Sequence, residues 1–254
     1  MSGHSDLRGK VVLVTGASSG IGRHFALRLA AEGARVSAAA RRVELLETLS
    51  HEVARAGGTL VPIQMDVSSV DSIRKGVDAA EKALGSIEVL VNNAGIAHQS
   101  RVTDVTEEDF DRVFSTNVKG AFFVAQECGA RMIKAKIEGR IVNTASIAGL
   151  VTMPQLTAYG MSKAAVVQMT KSLAREWARH SINVNAICPG YIATELNADF
   201  FSSETGQKLV AGLPKRRLGE ASDLDGALLL LASGNASRLI TGAIITADDG
   251  YSIS

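Results

Sequence analysis

Short apolar runs alternate with longer amphipathic segments along almost the whole chain, and few folds accommodate that pattern. Residues 10–15, 35–40, 59–64, 87–92, 139–145, 182–188 and 243–246 read as strands. Several are near-continuous Val, Ile, Ala and Leu, as parallel strands covered on both faces require. Helical periodicity occupies about 21–32, 43–56, 70–84, 107–136, 157–179 and 222–232. Such alternation predicts an α/β architecture, a doubly wound parallel seven-stranded sheet with helices on both faces. No composition shift or repeat divides the chain, so residues 1–254 are expected to form one domain. Asn117 and Gly120 interrupt the 107–136 pattern, which suggests two helices there. Residues 193–213 have no evident place in the sheet. They carry Leu196, Phe200, Phe201, Leu209 and Val210 and follow a strand's C-terminal end, where ligands bind in open α/β sheets. A substrate lid and a surface helix packed on the core are both open for them.

The first strand runs into Thr15-Gly16-Ala17-Ser18-Ser19-Gly20-Ile21-Gly22. Gly16 permits a tight turn, while Gly20 and Gly22 permit close approach of backbone to a pyrophosphate and of helix to strand. The amide groups that open the following helix then face the phosphates. Strand, glycine turn and helix together point to a Rossmann-type dinucleotide site, although the spacing is Gly-x-x-x-Gly-x-Gly. The second strand ends at Ala40-Arg41-Arg42 without an acid to take the ribose hydroxyls. A guanidinium pairs with a 2′-phosphate that an acid would repel. Arg41 is thus the first candidate for NADP recognition and Arg42 its helper. Both could instead solvate the next helix, and Glu44 lies close by.

Ser146, Tyr159 and Lys163 carry the chemistry. Tyr159 and Lys163, four apart in a helix, lie on one face. An ammonium beside a phenol lowers a pKa otherwise near ~10, so Tyr159 is expected to exchange a proton at neutral pH. A tyrosine and lysine one turn apart also occur on ordinary solvated helix faces; the motifs around them decide between the two.

Those motifs, in order, are residues 15–22, Asp66-Val67, Asn92-Asn93-Ala94-Gly95, Asn117, Ser146, Tyr159 with Lys163, and Pro189-Gly190 with Thr194. Over nearly its full length the chain resembles the short-chain dehydrogenase/reductase family in its single-domain branch. It is similar to 3-oxoacyl-(acyl-carrier-protein) reductase-like and carbonyl reductase-like members. The resemblance implies that Asn117, Ser146, Tyr159 and Lys163 are catalytic. It implies cofactor contacts from Gly16, Ser18, Ser19, Gly20, Ile21, Gly22, Arg41, Arg42, Asp66, Val67, Asn93, Ala94, Gly95, Tyr159, Lys163, Pro189, Gly190, Ile192 and Thr194. Asp66 would meet the adenine amino group with Val67 beside the ring, and Asn92 would steady the central sheet. Ala94 and Gly95 would floor the ribose, the Asn117 backbone would hold a water beside Lys163, and residues 189–194 would wall the nicotinamide. Ser146 and Tyr159 would donate to the carbonyl oxygen, Tyr159 delivering the proton. Two departures stand out: Ser19 occupies a position where many NADP-preferring relatives are basic, and Ala247-Asp248-Asp249-Gly250 replaces Val-Asp-Gly-Gly.

The expected substrate contacts are Ser146, Ile147, Met153, Gln155, Tyr159 and Tyr191, with Ala97 and His98 near them. Their mostly uncharged character favours an apolar ketone or a 3-oxoacyl group over a sugar phosphate. Lys215-Arg216-Arg217 could meet an acyl carrier's phosphate, make a subunit contact or be plain surface. The formal net charge of +1 points to neither nucleic acid nor an anionic membrane. Cys128 and Cys188 lack partners at metal-ligand spacing, and no metal is expected. The polar first ten residues and the lack of a spanning run suggest a cytoplasmic protein. The resemblance adds an expected homotetramer, built through 107–136, 157–179 and the final strand. An NADP(H)-dependent carbonyl reductase or alcohol dehydrogenase is the leading reading. A catalytically silent nucleotide-binding regulator and an NAD-preferring alcohol dehydrogenase are the alternatives.

Overall fold

The computed structural model describes residues 5–253; residues 1–4, on which part of the leader expectation rested, and Ser254 lie outside it, as do the side chains of Ser5 and Leu196. Seven parallel strands form one sheet: β1 (Val11–Thr15), β2 (Arg35–Ala40), β3 (Thr59–Gln64), β4 (Val89–Asn92), β5 (Arg140–Thr144), β6 (Asn183–Pro189) and β7 (Ile244–Ala247). Their spatial order is β3-β2-β1-β4-β5-β6-β7. The order reverses between β1 and β4, which opens a crevice beyond the strands' C-terminal ends.

The alternation of side chains along β1 shows how the two cores arise. Val12 and Val14 pack with Phe25 and Leu29 of α1 (Gly20–Ala31), Leu46 of α2 (Val43–Arg55) and Leu228 of α9 (Asp225–Ala232). Val11 and Leu13 face the opposite way, onto Ile73 and Val77 of α3 (Val70–Leu84), Val124 and Met132 of α5 (Ala121–Ala135), and Leu173 of α6 (Thr157–Trp177). The aliphatic runs in the sequence follow from this double coverage. Among the described residues, no helix is long and apolar enough to cross a membrane.

Residues 107–136 hold two α-helices, as expected, interrupted at Asn117 and Gly120. α4 (Glu107–Phe114), capped by Thr106, passes through a π-helical turn at Ser115–Gly120 directly into α5. The wider turn carries Asn117 inward, where its carboxamide finds partners away from its own helix. Residues 193–213 also contain more structure than an irregular connection. A 3₁₀ turn (Glu195–Asn197) leads to α7 (Ala198–Ser202) and α8 (Glu204–Ala211), the latter capped by Ser203.

A buried amide chain ties the strands to the helices. Asn92 Nδ2 donates to the Ala121 carbonyl (2.8 Å) and to Asn143 Oδ1 (3.1 Å), and Asn143 Nδ2 donates to Thr170 Oγ1 (2.9 Å). β4, β5, α5 and α6 are therefore pinned together next to the crevice. Asn92→Ala removes two buried hydrogen bonds and takes a donor from Asn143 Oδ1, and is expected to lower unfolding stability in urea by about 1–3 kcal/mol. A loss below about 0.5 kcal/mol, the range of neutral surface changes, would contradict this account.

Candidate active site

The crevice is floored by the glycine-rich turn between β1 and α1. A Cβ built on Gly22 would lie 2.3 Å from the Gly16 carbonyl oxygen, and one on Gly16, at φ +69°, would lie 2.8 Å from Ala94 Cα. Side chains are excluded there, so the backbone forms an open cradle of the kind that receives a pyrophosphate in Rossmann-type folds. Thr15 Oγ1 accepts from the amides of Asn93 and Ala94 (3.0 Å each), and Asn93 Nδ2 donates to the Thr15 carbonyl (3.1 Å). The loop after β4 is thereby fixed against the turn. From the far side Thr194 faces Gly20, 3.5 Å from a Cβ built there. Ile192, buried, is held by a parallel bridge to Gly219.

Just past β2, the two arginines have different partners. Arg42 donates through one terminal nitrogen to Ser18 Oγ and Ser19 Oγ, 3.1 Å each. Its guanidinium thus stands at the turn, where Ser19 takes the place of a basic residue. Arg41 acts instead on Asp66. Burial works against the Asp66 charge, yet the Ser68 amide and hydroxyl, with the positive charge of Arg41, hold its carboxyl below the ordinary value. Val67, beside it, is buried.

At the other end of the crevice Asn117, Ser146, Tyr159 and Lys163 come together. Ser146 stands just past β5, where its Oγ accepts from the Ala148 amide (3.1 Å) and its hydroxyl bonds to Tyr159. Lys163, 5% exposed, donates to the Thr144 carbonyl (2.9 Å), with its ammonium 5.8 Å from the Tyr159 ring centre. Asn117 Nδ2 donates to the Ile96 carbonyl (2.8 Å) and Ser162 Oγ (3.0 Å), while its Oδ1 accepts from the Ile96 amide (2.8 Å). A Cβ built on Gly95 would lie 3.2 Å from Lys163 Nζ and 3.3 Å from Asn117 Oδ1, so the three meet at one point.

The electrostatics correct one expectation. Spacing alone predicts a phenol lowered by the ammonium, but burial pushes Tyr159 above its ordinary value against the lowering bond from Ser146. Burial also pulls Lys163 down to about 8, with the neighbouring Cys188 opposing. Desolvation disfavours both charged forms, and at neutral pH the pair rests as phenol and ammonium.

Of the expected substrate contacts, Ile147 is buried behind Ser146 and Met153 packs on the same cluster. Gln155 is exposed with φ +63°, its carbonyl accepting from the Ser100 amide (2.9 Å). Tyr191 lies just beyond β6, following Pro189 and Gly190. His98 sits 3.5 Å from Asp109. Two of the three cations in the basic run 215–217 are already in ion pairs, and Arg216 is exposed. Lys215 pairs with Asp249 (2.8 Å), and Arg217 with Asp223 and Asp249 (3.0 Å each).

Two residues at the site escaped sequence reasoning. Cys188, fully buried as expected of a small hydrophobe, receives the Ser146 amide on its sulfur and feels the Lys163 charge; burial pushes its thiol up to about 11. Tyr251 bonds to and stacks edge-on with Tyr191, the ring centres 5.5 Å apart. The position of Cys188 directly before Pro189-Gly190 was a usable signal, whereas nothing in the sequence marked Tyr251.

Comparison with known proteins agrees with this geometry. The family model described as short chain dehydrogenase matches residues 10–205. The chain is 38% identical over 247 residues to 3-oxoacyl-(acyl-carrier-protein) reductase FabG of Thermotoga maritima, covering 97% of this chain and 99% of that one. Its fold superimposes on a short-chain type dehydrogenase/reductase from Mycobacterium marinum with TM-score 0.91 at 40% identity, over 97% and 96% of the two chains. A gluconate 5-dehydrogenase from Burkholderia cenocepacia, solved with NADP and tartrate, gives TM-score 0.93 at 30% identity over 100% of both chains. With the glycine cradle, the Ser–Tyr–Lys cluster and this similarity in agreement, the chain belongs to the short chain dehydrogenase family and is an oxidoreductase of CH–OH and C=O groups.

Proposed function

We propose that the protein is a cytoplasmic NADP(H)-dependent oxidoreductase that interconverts a ketone and a secondary alcohol, with Tyr159 as general acid and base. The observation that carries this reading is the Tyr159 phenol bonded to Ser146 with the Lys163 ammonium beside it, at the mouth of the crevice that holds the glycine cradle. When bound, the nicotinamide supplies or accepts the hydride. The chain's own groups do the rest. Ser146 and Tyr159 donate to the carbonyl oxygen as negative charge develops on it, and Tyr159 gives up its phenolic proton. Lys163 stabilises the tyrosinate so formed and is held for that task by the Thr144 carbonyl. Asn117 fixes Ile96 and, through its backbone, the proton path to Lys163. In the oxidative direction tyrosinate is the base. A silent regulator would not need all four of these residues in mutual reach.

The remaining site residues keep the cofactor roles that the resemblance implies. Arg42 takes the principal 2′-phosphate contact, because Ser18 and Ser19 aim its guanidinium at the turn; Arg41, drawn towards Asp66, assists. The single domain carries residues 193–213 as its substrate lid, since α7 and α8 follow Thr194, which faces Gly20, and Phe201 of α7 reaches Tyr191. The chain assembles as a homotetramer. Phe122 of α5, 40% exposed, lines an apolar groove with Phe114, Val118, Phe123 and Met169, and Met161 of α6 is 51% exposed. Light scattering is expected to give the mass of four chains, and a monomer would refute this.

Assayed with NADPH against a panel of ketones, Tyr159→Phe is expected to lose at least about a hundredfold in kcat, the usual worth of a positioned acid, with NADPH still bound. Reductive kcat/KM is expected to hold below pH 8 and decline above it, as Lys163 loses its charge at about 8. Retained activity, or a profile that rises through that pH, would remove the assigned roles. Arg42→Ala is expected to raise KM for NADPH roughly ten- to hundredfold, from a charged contact of ~1.5–3 kcal/mol, and to leave NADH unaffected. A larger effect from Arg41→Ala would reverse the assignment.

A further inference from the structure

All three tyrosines of the chain lie at this site, although only Tyr159 belongs to the proposed chemistry. The sheet register explains how the other two meet. β6 and β7 pair up to Pro189 opposite Ala247, so Tyr191 and Tyr251, two and four residues beyond those partners, emerge side by side. Ser146 emerges likewise past β5, which pairs with β6 up to Thr144 opposite Ile187. Tyr251 and Met153 both pack against the buried cluster that includes Ile147, the residue after Ser146, and Cys188, whose sulfur receives the Ser146 amide.

From the lid, Phe201 of α7 approaches Tyr191, with ring centres 6.2 Å apart and planes at 89°. Tyr251 meets Tyr191 at 5.5 Å and 90°. Flat apolar faces at right angles make a corner that fits a flat apolar ring. The turn that bears Tyr251 is fixed by both its acids. Asp248 accepts from the amides of Gly250 (3.0 Å) and Ser252 (2.8 Å), while Asp249 holds Lys215 and Arg217 at the end of the lid. Those two cations are therefore already partnered by acids of this chain.

We propose that Tyr251 is a substrate-specificity residue: with Tyr191 and Phe201 it forms an aromatic corner that seats the apolar ring of a cyclic or aryl ketone beside Ser146, and Asp249 positions it there. The inference rests on the ketone reductase reading above and adds the substrate class. A ring seated edge-to-face on aromatic side chains gains a contact worth roughly tenfold in affinity. A small ketone that does not reach the corner gains nothing from it.

The test is steady-state kinetics of the full chain with NADPH, using cyclohexanone, acetophenone, butanone, 5-ketogluconate and an acetoacetyl thioester. The wild type is expected to favour the two ring ketones. Tyr251→Ala is expected to lower kcat/KM for the ring ketones roughly tenfold more than for butanone, through KM, and Tyr251→Phe to restore the preference. Asp249→Gly, which suits the local backbone but removes the ion pairs, is expected to reduce the preference in the same direction. The inference is overturned if Tyr251→Ala affects ring ketones and butanone equally, or if the wild type favours 5-ketogluconate or the thioester. Turnover of ketones with an unmoved preference sinks this inference alone. No turnover of any carbonyl sinks the function it rests on as well.

Discussion

The carboxamide of Asn92 is the point on which the geometry of the site depends. It ends β4, bonds to the first residue of α5 and to Asn143 on β5, and through Asn143 reaches Thr170 on α6. Apolar packing would hold these layers together at many sliding positions, because it has little directional preference. Directional bonds between buried groups do not allow sliding, since every misplaced partner is left unpaired in a medium that water does not reach. Thr170 and Lys163 are two turns apart on the same face of α6. Setting the height of Thr170 therefore sets Lys163 against the Thr144 carbonyl and Tyr159 against Ser146.

Burial decides which protonation states this placement supports. The Lys163 ammonium is buried with a backbone carbonyl for a partner and, among the described residues, no carboxylate in an ion pair with it, so its proton is held more weakly than in water. Tyr159 is pushed the opposite way by the same desolvation, and its proton is retained. A phenol beside an ammonium is a proton donor whose conjugate base is met by a charge already in place. Preorganisation of that kind needs no rearrangement at the moment of reaction. It also explains why helical spacing alone gave the wrong sign for the tyrosine. Spacing fixes proximity, whereas the pKa depends equally on how much water remains.

Much of the fold was legible because both faces of the sheet are covered, which leaves aliphatic runs that admit few other arrangements. The strand positions held to within two residues, and the glycine turn fell where strand meets helix. What stayed hidden depended on partners distant in sequence. The π-helical turn arises because Asn117 reaches Ile96, a contact invisible in the periodicity of 107–136. Arg41 and Arg42 are adjacent and chemically alike; only the location of Ser18, Ser19 and Asp66 separates them. Sequence leaves the run 215–217 open between a phosphate contact, a subunit contact and plain surface, because the acids that pair with Lys215 and Arg217, Asp223 and Asp249, include one more than thirty residues away. Tyr251 had no motif to announce it, being placed by the register of β6 on β7.

Asp249 shows how magnitudes separate a stabilising residue from a positioning one. Its φ of 53° is left-handed, at a position where the family more usually has glycine. A residue with a side chain gives up about 1 kcal/mol to stand there, somewhat less for Asp. Its two ion pairs join side chains that are 61% and 46% exposed at Lys215 and Arg217. Exposed pairs contribute about 0.2–1 kcal/mol each, so the strain and the pairing nearly cancel. The acid thus adds little to the stability of the fold. Its consequence is geometric: one carboxylate reaches both cations at the end of the lid while its own turn carries Tyr251 to Tyr191. In the proposed reading of residues 193–213 as a lid, a change in its position would be felt two residues away at Tyr251, and a ring seated against Tyr251 would act back on the lid through the same contacts.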